Sequence, residues 1–249
     1  MPEGPSIVIL KELIDELDIV NKEVIEVSGN TKIEKERMLD QRVRAIKSWG
    51  KHFLICFDSF SLRIHFMLFG TYRINERKES TPRLSLRFDD AELNFYTCSL
   101  KFIEGDIDLS YDWTGDVMSD SWDPQAAMDK LKSVPNALAC DVLLDQNVFA
   151  GVGNIIKNEV LFRIRVHPLS TIGQIPEQEL QSLIAEARNY SFDFLEWKKA
   201  YTLKAHWLAH AKKICPRCDI PFHKAHLGKT NRRSFFCTNC QILYSPTQL

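Results

Sequence analysis

The residues best suited to chemistry stand at the start of the chain, which reads Met-Pro-Glu-Gly-Pro. Removal of Met1 would make Pro2 the first residue and expose a secondary amine. An α-amino group has an unperturbed pKa of roughly 7.7–8.0, so much of it is an uncharged nucleophile at neutral pH. Such an amine forms an iminium with an aldehyde carbon, and Glu3 is near enough to act as a general acid or base. The pair therefore predicts covalent catalysis, although the prolines could instead be a rigid start to a first helix.

Four cysteines near the other end form two C-x2-C pairs, Cys215 with Cys218 and Cys237 with Cys240. The 18 residues between the pairs are typical of a ribbon that binds one structural Zn²⁺ through four thiolates, with no open coordination position. Two disulfides are the alternative. We expect a reducing compartment, because no signal peptide is recognised and no apolar run approaches the roughly 20 residues of a membrane span. The remaining cysteines have apolar neighbours and are expected in the core: Cys56, Cys98 and Cys140.

Charge is unevenly distributed along the chain. The formal net charge is −1, which by itself predicts no nucleic-acid partner. From Lys198 to the end, however, ten Lys or Arg accompany a single acid, Asp219. Basic residues interleaved with aromatic ones are typical of a nucleic-acid-binding segment, and a solvated charged face with core aromatics is the alternative. The aromatic residues in question are Trp197, Trp207, Phe222, Phe235 and Phe236.

Apolar periodicity predicts the elements that must position these residues. Helical spacing from Ile7 to Leu17 indicates one amphipathic helix after the opening. Alternating runs then predict an antiparallel sandwich or barrel. These runs cover residues 24–27, 43–46, 52–57, 61–66, 71–74, 84–88 and 92–96.

A polar stretch from Asp112 to Ser121 is expected to be a linker. Asp123-Pro124 then predicts the N-cap and first residue of a helix, and further helices are expected over residues 137–146, 154–162 and 176–199. The predicted class is α+β. It has an N-terminal β-sandwich domain with a leading helix (1–112), a linker (113–122), a helical domain (123–205) and a zinc ribbon (206–249).

A glycine-rich turn separates two of the predicted helices and reads Gly151-Val152-Gly153-Asn154. Backbone amides in such a turn, together with the following helix N-terminus, can bind a phosphate. The Asn154 side chain can donate a further hydrogen bond to it. An ordinary connection between helices would have the same pattern.

Taken in order, these features resemble the formamidopyrimidine-DNA glycosylase and endonuclease VIII family along almost the whole chain. Residues 143–162, LLDQNVFAGVGNIIKNEVLF, are similar to its helix-two-turn-helix DNA-binding element, and Gly4 resembles the endonuclease VIII branch. The resemblance implies a bifunctional glycosylase and AP lyase of base excision repair, which excises oxidised bases and cuts the strand by β,δ-elimination. Oxidised pyrimidines are favoured, because the Arg and Phe loop of the formamidopyrimidine branch has no good counterpart here. A purine-directed 8-oxoguanine glycosylase of the same fold, or a non-catalytic damaged-DNA binder, is the alternative.

The resemblance also implies roles for single residues. Pro2 matches the nucleophile that attacks C1′ of the damaged nucleotide, and Glu3 matches the acid that assists opening of the sugar ring. Lys51, at the start of a predicted strand, matches a hairpin lysine that contacts phosphate at the lesion. Asn154 and Arg232 match phosphate-binding residues of the two-turn element and the zinc finger.

A damaged nucleotide must leave the base stack before excision, and the gap that it leaves must be filled. Met67-Leu68-Phe69 match the void-filling triplet of the endonuclease VIII branch; without the resemblance they would be interpreted as part of a buried strand.

Glu159 matches an acidic residue that we take to be structural. Ser6 departs from the family, which generally has a glutamate there.

The resemblance implies damaged double-stranded DNA as the partner and one structural Zn²⁺ as the metal. No small-molecule cofactor and no membrane association are expected. We expect a monomer that works in the cytoplasm or at the nucleoid.

Overall fold

The structure is a computed structural model that describes residues 2–246. The chain folds into two compact domains, residues 1–112 and residues 113–249, and each has its own apolar core. The predicted α+β class is confirmed by the order of the helices and strands. Within the described residues, no helix combines the length and apolar character needed to cross a membrane.

Helix α1 opens the N-terminal domain and spans Gly4–Asp15. Pro5 fits its first turn, where the missing N–H is not needed. Ile7, Leu10 and Ile14 form its buried face, as the helical spacing predicted, and the helix packs against strands β2 and β3. The six strands are β1 (Glu26–Ser28), β2 (Ala45–Trp49), β3 (His52–Cys56), β4 (Phe60–Ile74), β5 (Leu84–Arg87) and β6 (Glu92–Glu104).

These strands form one antiparallel sheet in the order β1-β5-β6-β4-β3-β2. The predicted antiparallel strands and leading helix are confirmed. Buried side chains from strands on both sides of the β6–β4 pair share one core, as the predicted sandwich requires, and hydrogen bonds join all six strands continuously. The reason lies in β4 and β6, which pair along most of their 15 and 13 residues. The runs predicted at 61–66 and 71–74 are thus two parts of one long strand, β4.

A bulge interrupts β4 between these two parts. Phe66 pairs with Cys98 and Thr71 pairs with Tyr96, so residues 67–70 lie opposite a single residue of β6. A Cβ on Gly70 would lie 2.7 Å from the Phe66 Cβ and 2.8 Å from the Thr97 carbonyl oxygen. Only glycine fits this turn, which directs residues 67–69 away from the sheet.

Within residues 113–246, the second domain contains four α-helices, short 3-10 helices and a β-hairpin. Asp123 caps the first helix as predicted, because its carboxylate accepts hydrogen bonds from the amides of Gln125 and Ala126. The helix predicted over 137–146 is helical only over Ala139–Val142 and continues in turns. The elements are α2 (Pro124–Lys132), α3 (Ala139–Val142), α4 (Asn154–Arg163), α5 (Glu177–Lys199), β7 (His223–Leu227) and β8 (Arg232–Phe236).

Residues 113–122 belong to the second domain and do not form the expected linker. Val117 is fully buried in the helical core, and its N–H donates to the Ala150 carbonyl at 3.2 Å. Arg188 of α5 donates to the carbonyls of Val117 and Ser119, both at 2.9 Å. The polar composition predicted exposure, but these bonds to the main chain allow the segment to pack.

The ribbon packs against the helices within the same domain. A small apolar cluster joins Phe162 of α4 to Ala209, Cys215 and Cys237. The segments expected at 123–205 and 206–249 therefore lie in one compact domain.

Candidate functional site

Pro2 and Glu3 directly precede α1. Pro2 is half-buried, whereas Glu3 is 4% exposed. Glu3 occupies the N-cap position with an extended backbone, and its side chain does not cap the helix. The rigid, anchored helix therefore holds a nearly buried carboxylate next to the predicted nucleophile, at a helix end whose dipole favours negative charge. Met1, whose removal the chemistry requires, lies outside the described residues.

Lys51 lies in the tight turn between β2 and β3. Gly50 adopts a φ of +50° there, a backbone conformation that glycine tolerates readily. Lys51 is 9% exposed, so most of its side chain is covered by protein. Because α1 packs on both strands that flank this turn, one set of packed elements in the N-terminal domain carries Pro2, Glu3 and Lys51.

Two histidines that the sequence analysis did not single out support the Lys51 turn. The Lys51 carbonyl can only accept, so His65 Nδ1, at 3.2 Å, donates to it. His52 Nδ1 lies 3.1 Å from the Tyr111 hydroxyl. Burial, followed by the charge of Arg63, lowers the pKa of His52 to about 3, and burial also lowers the pKa of His65. Both rings are therefore neutral at neutral pH, and they lie opposite each other on β3 and β4.

The triplet Met67-Leu68-Phe69 forms the exposed part of the β4 bulge. The exposed fractions of the three residues are 49%, 60% and 79%. The alternative of a buried strand is therefore wrong for these residues. Three consecutive exposed apolar side chains are unusual on a soluble surface and indicate a contact with something outside the chain.

The glycine-rich turn ends at Asn154, the first residue of α4. Its side-chain amide donates to the Arg233 carbonyl at 3.0 Å. An asparagine amide has two N–H donors, so a phosphate contact through the second one stays a prediction. Arg232 is exposed at the start of β8, adjacent to the residue that Asn154 binds.

A buried polar network fixes β8 to α4. Lys157, 1% exposed, donates to Ser234 Oγ at 2.8 Å and to the Arg233 carbonyl at 3.3 Å. Asn158 donates to the same carbonyl at 3.3 Å and accepts from the Phe235 amide at 3.0 Å. Since Asn154 also donates to this carbonyl, three side chains of α4 position the strand that carries Arg232.

Glu159 is fully buried and binds the chain that leads into the ribbon. Its carboxylate accepts from the amides of Leu208, Ala209 and His210 at 2.9, 2.9 and 2.7 Å. These bonds fit the structural role that we expected.

Burial, followed by the charge of Lys157, lowers the pKa of His210 to about 4. The neutral ring can accept from the Asn158 amide, 3.3 Å from its Nδ1.

The turn between β7 and β8 binds to α3. The Asp141 carboxylate accepts from the amides of Lys229 and Thr230 at 3.0 and 3.3 Å. Gly228 has a φ of +69°, and a Cβ there would lie 2.3 Å from Asp141 Oδ1. Glycine is required at this position for two reasons, its backbone conformation and the approach of the carboxylate.

The four predicted metal ligands come together. The Sγ atoms of Cys215, Cys218, Cys237 and Cys240 all lie within 4.8 Å of one another. Cys215 and Cys237 are buried and the other two are half-buried. The cysteines expected in the core, Cys56, Cys98 and Cys140, are buried.

Without a metal ion, Cys237 and Cys240 differ in how readily they ionise. Burial opposes ionisation of Cys237, but the backbone N–H groups of Cys240 and Asn239 outweigh it and lower its pKa to about 7. Burial, followed by the neighbouring Cys237, raises the pKa of Cys240 to about 12. One thiolate therefore forms readily while further ionisation is opposed, a balance that a bound dication reverses. The cluster can hold a metal ion that prefers thiolate ligands.

The aromatic residues interleaved with the basic residues of the C-terminal part pack within the domain. Trp197 stacks on His206, with ring centroids 4.2 Å apart, and Phe222 meets Phe162 edge to face. Phe235 and Phe236 are 9% and 8% exposed. Among the described residues of this region, Tyr201 is instead 97% exposed, and the sequence analysis missed it.

Family models match both domains. A model described as the formamidopyrimidine-DNA glycosylase N-terminal domain matches residues 1–102, and one described as the formamidopyrimidine-DNA glycosylase H2TH domain matches residues 114–198.

Among curated proteins, "Endonuclease 8-like 2" of Bos taurus is 31% identical over 207 residues, covering 76% of this chain and 61% of that protein. "Endonuclease 8-like 3" of Bos taurus is 30% identical, covering 79% of this chain and 34% of that protein. The chain thus spans 34% of the length of these endonuclease 8-like 3 relatives. "DNA-(apurinic or apyrimidinic site) lyase Nei2" of Mycolicibacterium smegmatis is 26% identical, with 80% and 82% coverage.

Solved structures share the fold. The Lactococcus lactis formamidopyrimidine DNA glycosylase bound to DNA containing an AP site has a TM-score of 0.84 and 21% identity, covering 96% of this chain and 99% of that one. A viral DNA glycosylase has a TM-score of 0.83 and 20% identity, covering 96% and 100%.

Proposed function

The chain belongs to the formamidopyrimidine-DNA glycosylase and endonuclease VIII family, and we propose that it is a bifunctional DNA glycosylase and AP lyase of base excision repair. The observation that carries this proposal is the Pro2-Glu3 pair at the head of α1, with Glu3 only 4% exposed. A protein that only bound DNA would have no need of a buried carboxylate beside a potential amine nucleophile.

Covalent chemistry begins at the Pro2 nitrogen once Met1 has been removed. The amine attacks C1′ of the damaged nucleotide and the bond from C1′ to the base breaks; the proton lost from the Pro2 nitrogen balances the one that the base takes as it leaves. Glu3 protonates the ring oxygen, the sugar opens, and the nitrogen is left as an iminium to C1′. Loss of the C2′ proton then expels the 3′ phosphate, and a second elimination expels the 5′ phosphate.

Phosphate contacts hold the DNA during these reaction steps. Arg232 is exposed at the start of β8 and can form charge-assisted hydrogen bonds to phosphate oxygens. Asn154 and the N-terminal amides of α4 add donors and a favourable dipole. Lys51 contacts a phosphate at the lesion from the β2–β3 turn, as the resemblance implies.

One Zn²⁺ is proposed to be bound by Cys215, Cys218, Cys237 and Cys240. With four thiolate ligands the ion supplies a structural cross-link. Arg217 and Asn239 donate to the Cys240 and Cys218 sulfurs at 3.8 and 3.2 Å and so orient the ligands.

Oxidised pyrimidines are the proposed substrates. The endonuclease 8-like relatives and the apolar triplet Met67-Leu68-Phe69 support this choice. The flipped base would leave a gap that these exposed side chains can fill.

Borohydride trapping tests the proposal. Protein shown by mass spectrometry to lack Met1 is incubated with duplexes containing thymine glycol, 8-oxoguanine or an abasic site, and the linked residue is mapped. An adduct at Pro2 with thymine glycol is expected. An adduct with 8-oxoguanine but not with thymine glycol would move the enzyme to the purine-directed class. Failure to trap any substrate would favour the alternative hypothesis of a protein that binds DNA without catalysis.

A further inference from the structure

The chain between α5 and the ribbon is strongly basic. Residues 198–213, which we call the basic segment, contain no Asp or Glu. Their lysines are Lys198, Lys199, Lys204, Lys212 and Lys213, and all five are exposed. Such a surface attracts a polyanion.

Tyr201 stands in this segment with 97% of its surface exposed. It directly follows the C-cap of α5, and its φ is +59°. The Tyr201 amide donates to the Lys198 carbonyl at 3.1 Å, and the Thr202 amide donates to the Trp197 carbonyl at 2.8 Å. This is the helix-ending turn in which glycine is the favoured residue, because a side chain disfavours the left-handed backbone.

Folding therefore gains little from a tyrosine at this position. Its backbone conformation is unfavourable, and its ring is not buried to compensate. Nearby aromatic rings behave differently, since Trp197 stacks on His206 and Trp207 meets His210 edge to face. A large exposed ring at a strained position is a candidate ligand contact.

We propose that Tyr201 and the lysines around it bind single-stranded DNA. An unpaired base can stack on the tyrosine ring while Lys198 and Lys204 contact adjacent phosphates. A paired base offers no free face for this contact, because both of its faces are stacked within the duplex. The basic segment thereby gives the protein a second DNA contact that does not involve Pro2 and is separate from base excision.

The backbone strain at Tyr201 makes the test sharp. Tyr201→Gly should raise the melting temperature, because it relieves the strain, and yet weaken binding to a fluorescein-labelled 12-nucleotide oligo-dT about tenfold, as expected for the loss of one base stack. Tyr201→Phe should retain the affinity. Ala211→Gly is the matched control, since Ala211 is exposed in the same segment with a φ of +61°. It should raise the melting temperature and leave binding unchanged.

Fluorescence anisotropy would be measured for the single strand and for an undamaged duplex of equal length, at two salt concentrations. Lys204→Gln should lower the salt slope of single-strand binding by about 0.7. Unchanged oligo-dT affinity in Tyr201→Gly would overturn the proposal, as would an equal loss on the duplex or an equal loss in Ala211→Gly. None of these measurements requires excision, so they remain decisive even if trapping at Pro2 fails.

Discussion

At the scale of single residues, the candidate chemistry depends on how α1 begins. Ser, Thr, Asp and Asn are the residues that usually cap a helix through a side-chain oxygen. Glu3 occupies the N-cap position, but its side chain makes no capping hydrogen bond to the first turn. Its near-complete burial beside Pro2 instead suits proton transfer at a covalent intermediate.

Replacing Glu3 with Gln should lower excision of thymine glycol at least about 100-fold, the scale of a general acid, because the amide cannot donate the proton. Duplex affinity should change little, since no phosphate contact is lost. Single-turnover nicking and anisotropy would be measured together. Glu16→Gln, an exposed change at the other end of α1, is the control and should behave as the parent protein. Normal excision by the Glu3 variant would exclude it as the acid.

At the scale of elements, two local structures are proposed to present side chains to DNA. The β4 bulge exposes an apolar triplet because Gly70 allows the chain to turn back close to Phe66. The α4–β8 network holds Arg232 near Asn154 through the Arg233 carbonyl.

Phe69→Ser should leave stability nearly unchanged, because the parent residue is 79% exposed and surface changes usually alter stability by about 0.5 kcal/mol or less. Excision from a paired lesion should fall, whereas excision from the same lesion in a single strand, which has no opposite base to leave unpaired, should not. The comparison needs nicking rates on both substrates and one thermal melt. Leu109→Ser, which changes an 88% exposed residue of the same domain, is the control. Equal loss on both substrates would argue against a void-filling role.

Lys157→Met should weaken binding to every duplex alike, because the strand that carries Arg232 loses two of its bonds to α4. The salt slope should fall by roughly one, as for Arg232→Ala. If Lys157 acts through Arg232, the double variant should bind little more weakly than either single variant. Fully additive losses would mean that the two residues act independently. Lys132→Met, an exposed lysine on α2, controls for the change in charge.

Cys237→Ser should abolish metal binding and destabilise the ribbon, because three thiolates leave a tetrahedral site incomplete. Zinc per chain, measured by atomic absorption after dialysis, should fall from one to near zero. Cys140→Ser, outside the cluster and 1% exposed, should retain the metal. One zinc per chain in the Cys237 variant would refute the four-thiolate site.

At the scale of the whole molecule, stability should depend on pH through histidines whose pKa values burial lowers: His52 and His65 in the N-terminal domain, and His167 and His210 in the second domain. The pKa values of His52 and His210, about 3 and about 4, lie below the ordinary value of about 6.5. The unfolded chain therefore binds these protons first, so the stability they confer is complete above about pH 6.5 and is lost as the pH falls toward 4 and then 3.

Urea unfolding should show a loss of roughly 1 kcal/mol per histidine between pH 6.5 and 5.5. Arg77 lowers the pKa of Glu92, so this carboxyl stays ionised in that window and does not contribute. The double variant His52→Gln and His210→Gln should show a shallower pH dependence. An unchanged slope in that variant would assign the acid sensitivity to other groups.

The sequence alone determined the features that arise from neighbouring residues. The spacing of the cysteines predicted their cluster, and Asp123-Pro124 predicted a capped helix start. Helices predicted at 154–162 and 176–199 are observed at Asn154–Arg163 and Glu177–Lys199. In each case the signal and the structure lie within a few turns of chain, so periodicity and capping chemistry are sufficient.

Only the tertiary structure decided which side chains are covered. The apolar triplet at 67–69 is exposed because the register between β4 and β6 shifts there. Val117, in a polar stretch, is buried because Arg188 binds the carbonyls of Val117 and Ser119. The donors that meet at the Arg233 carbonyl lie more than 70 positions away in the chain. Exposure and such convergence depend on contacts between distant segments, and no local pattern encodes them.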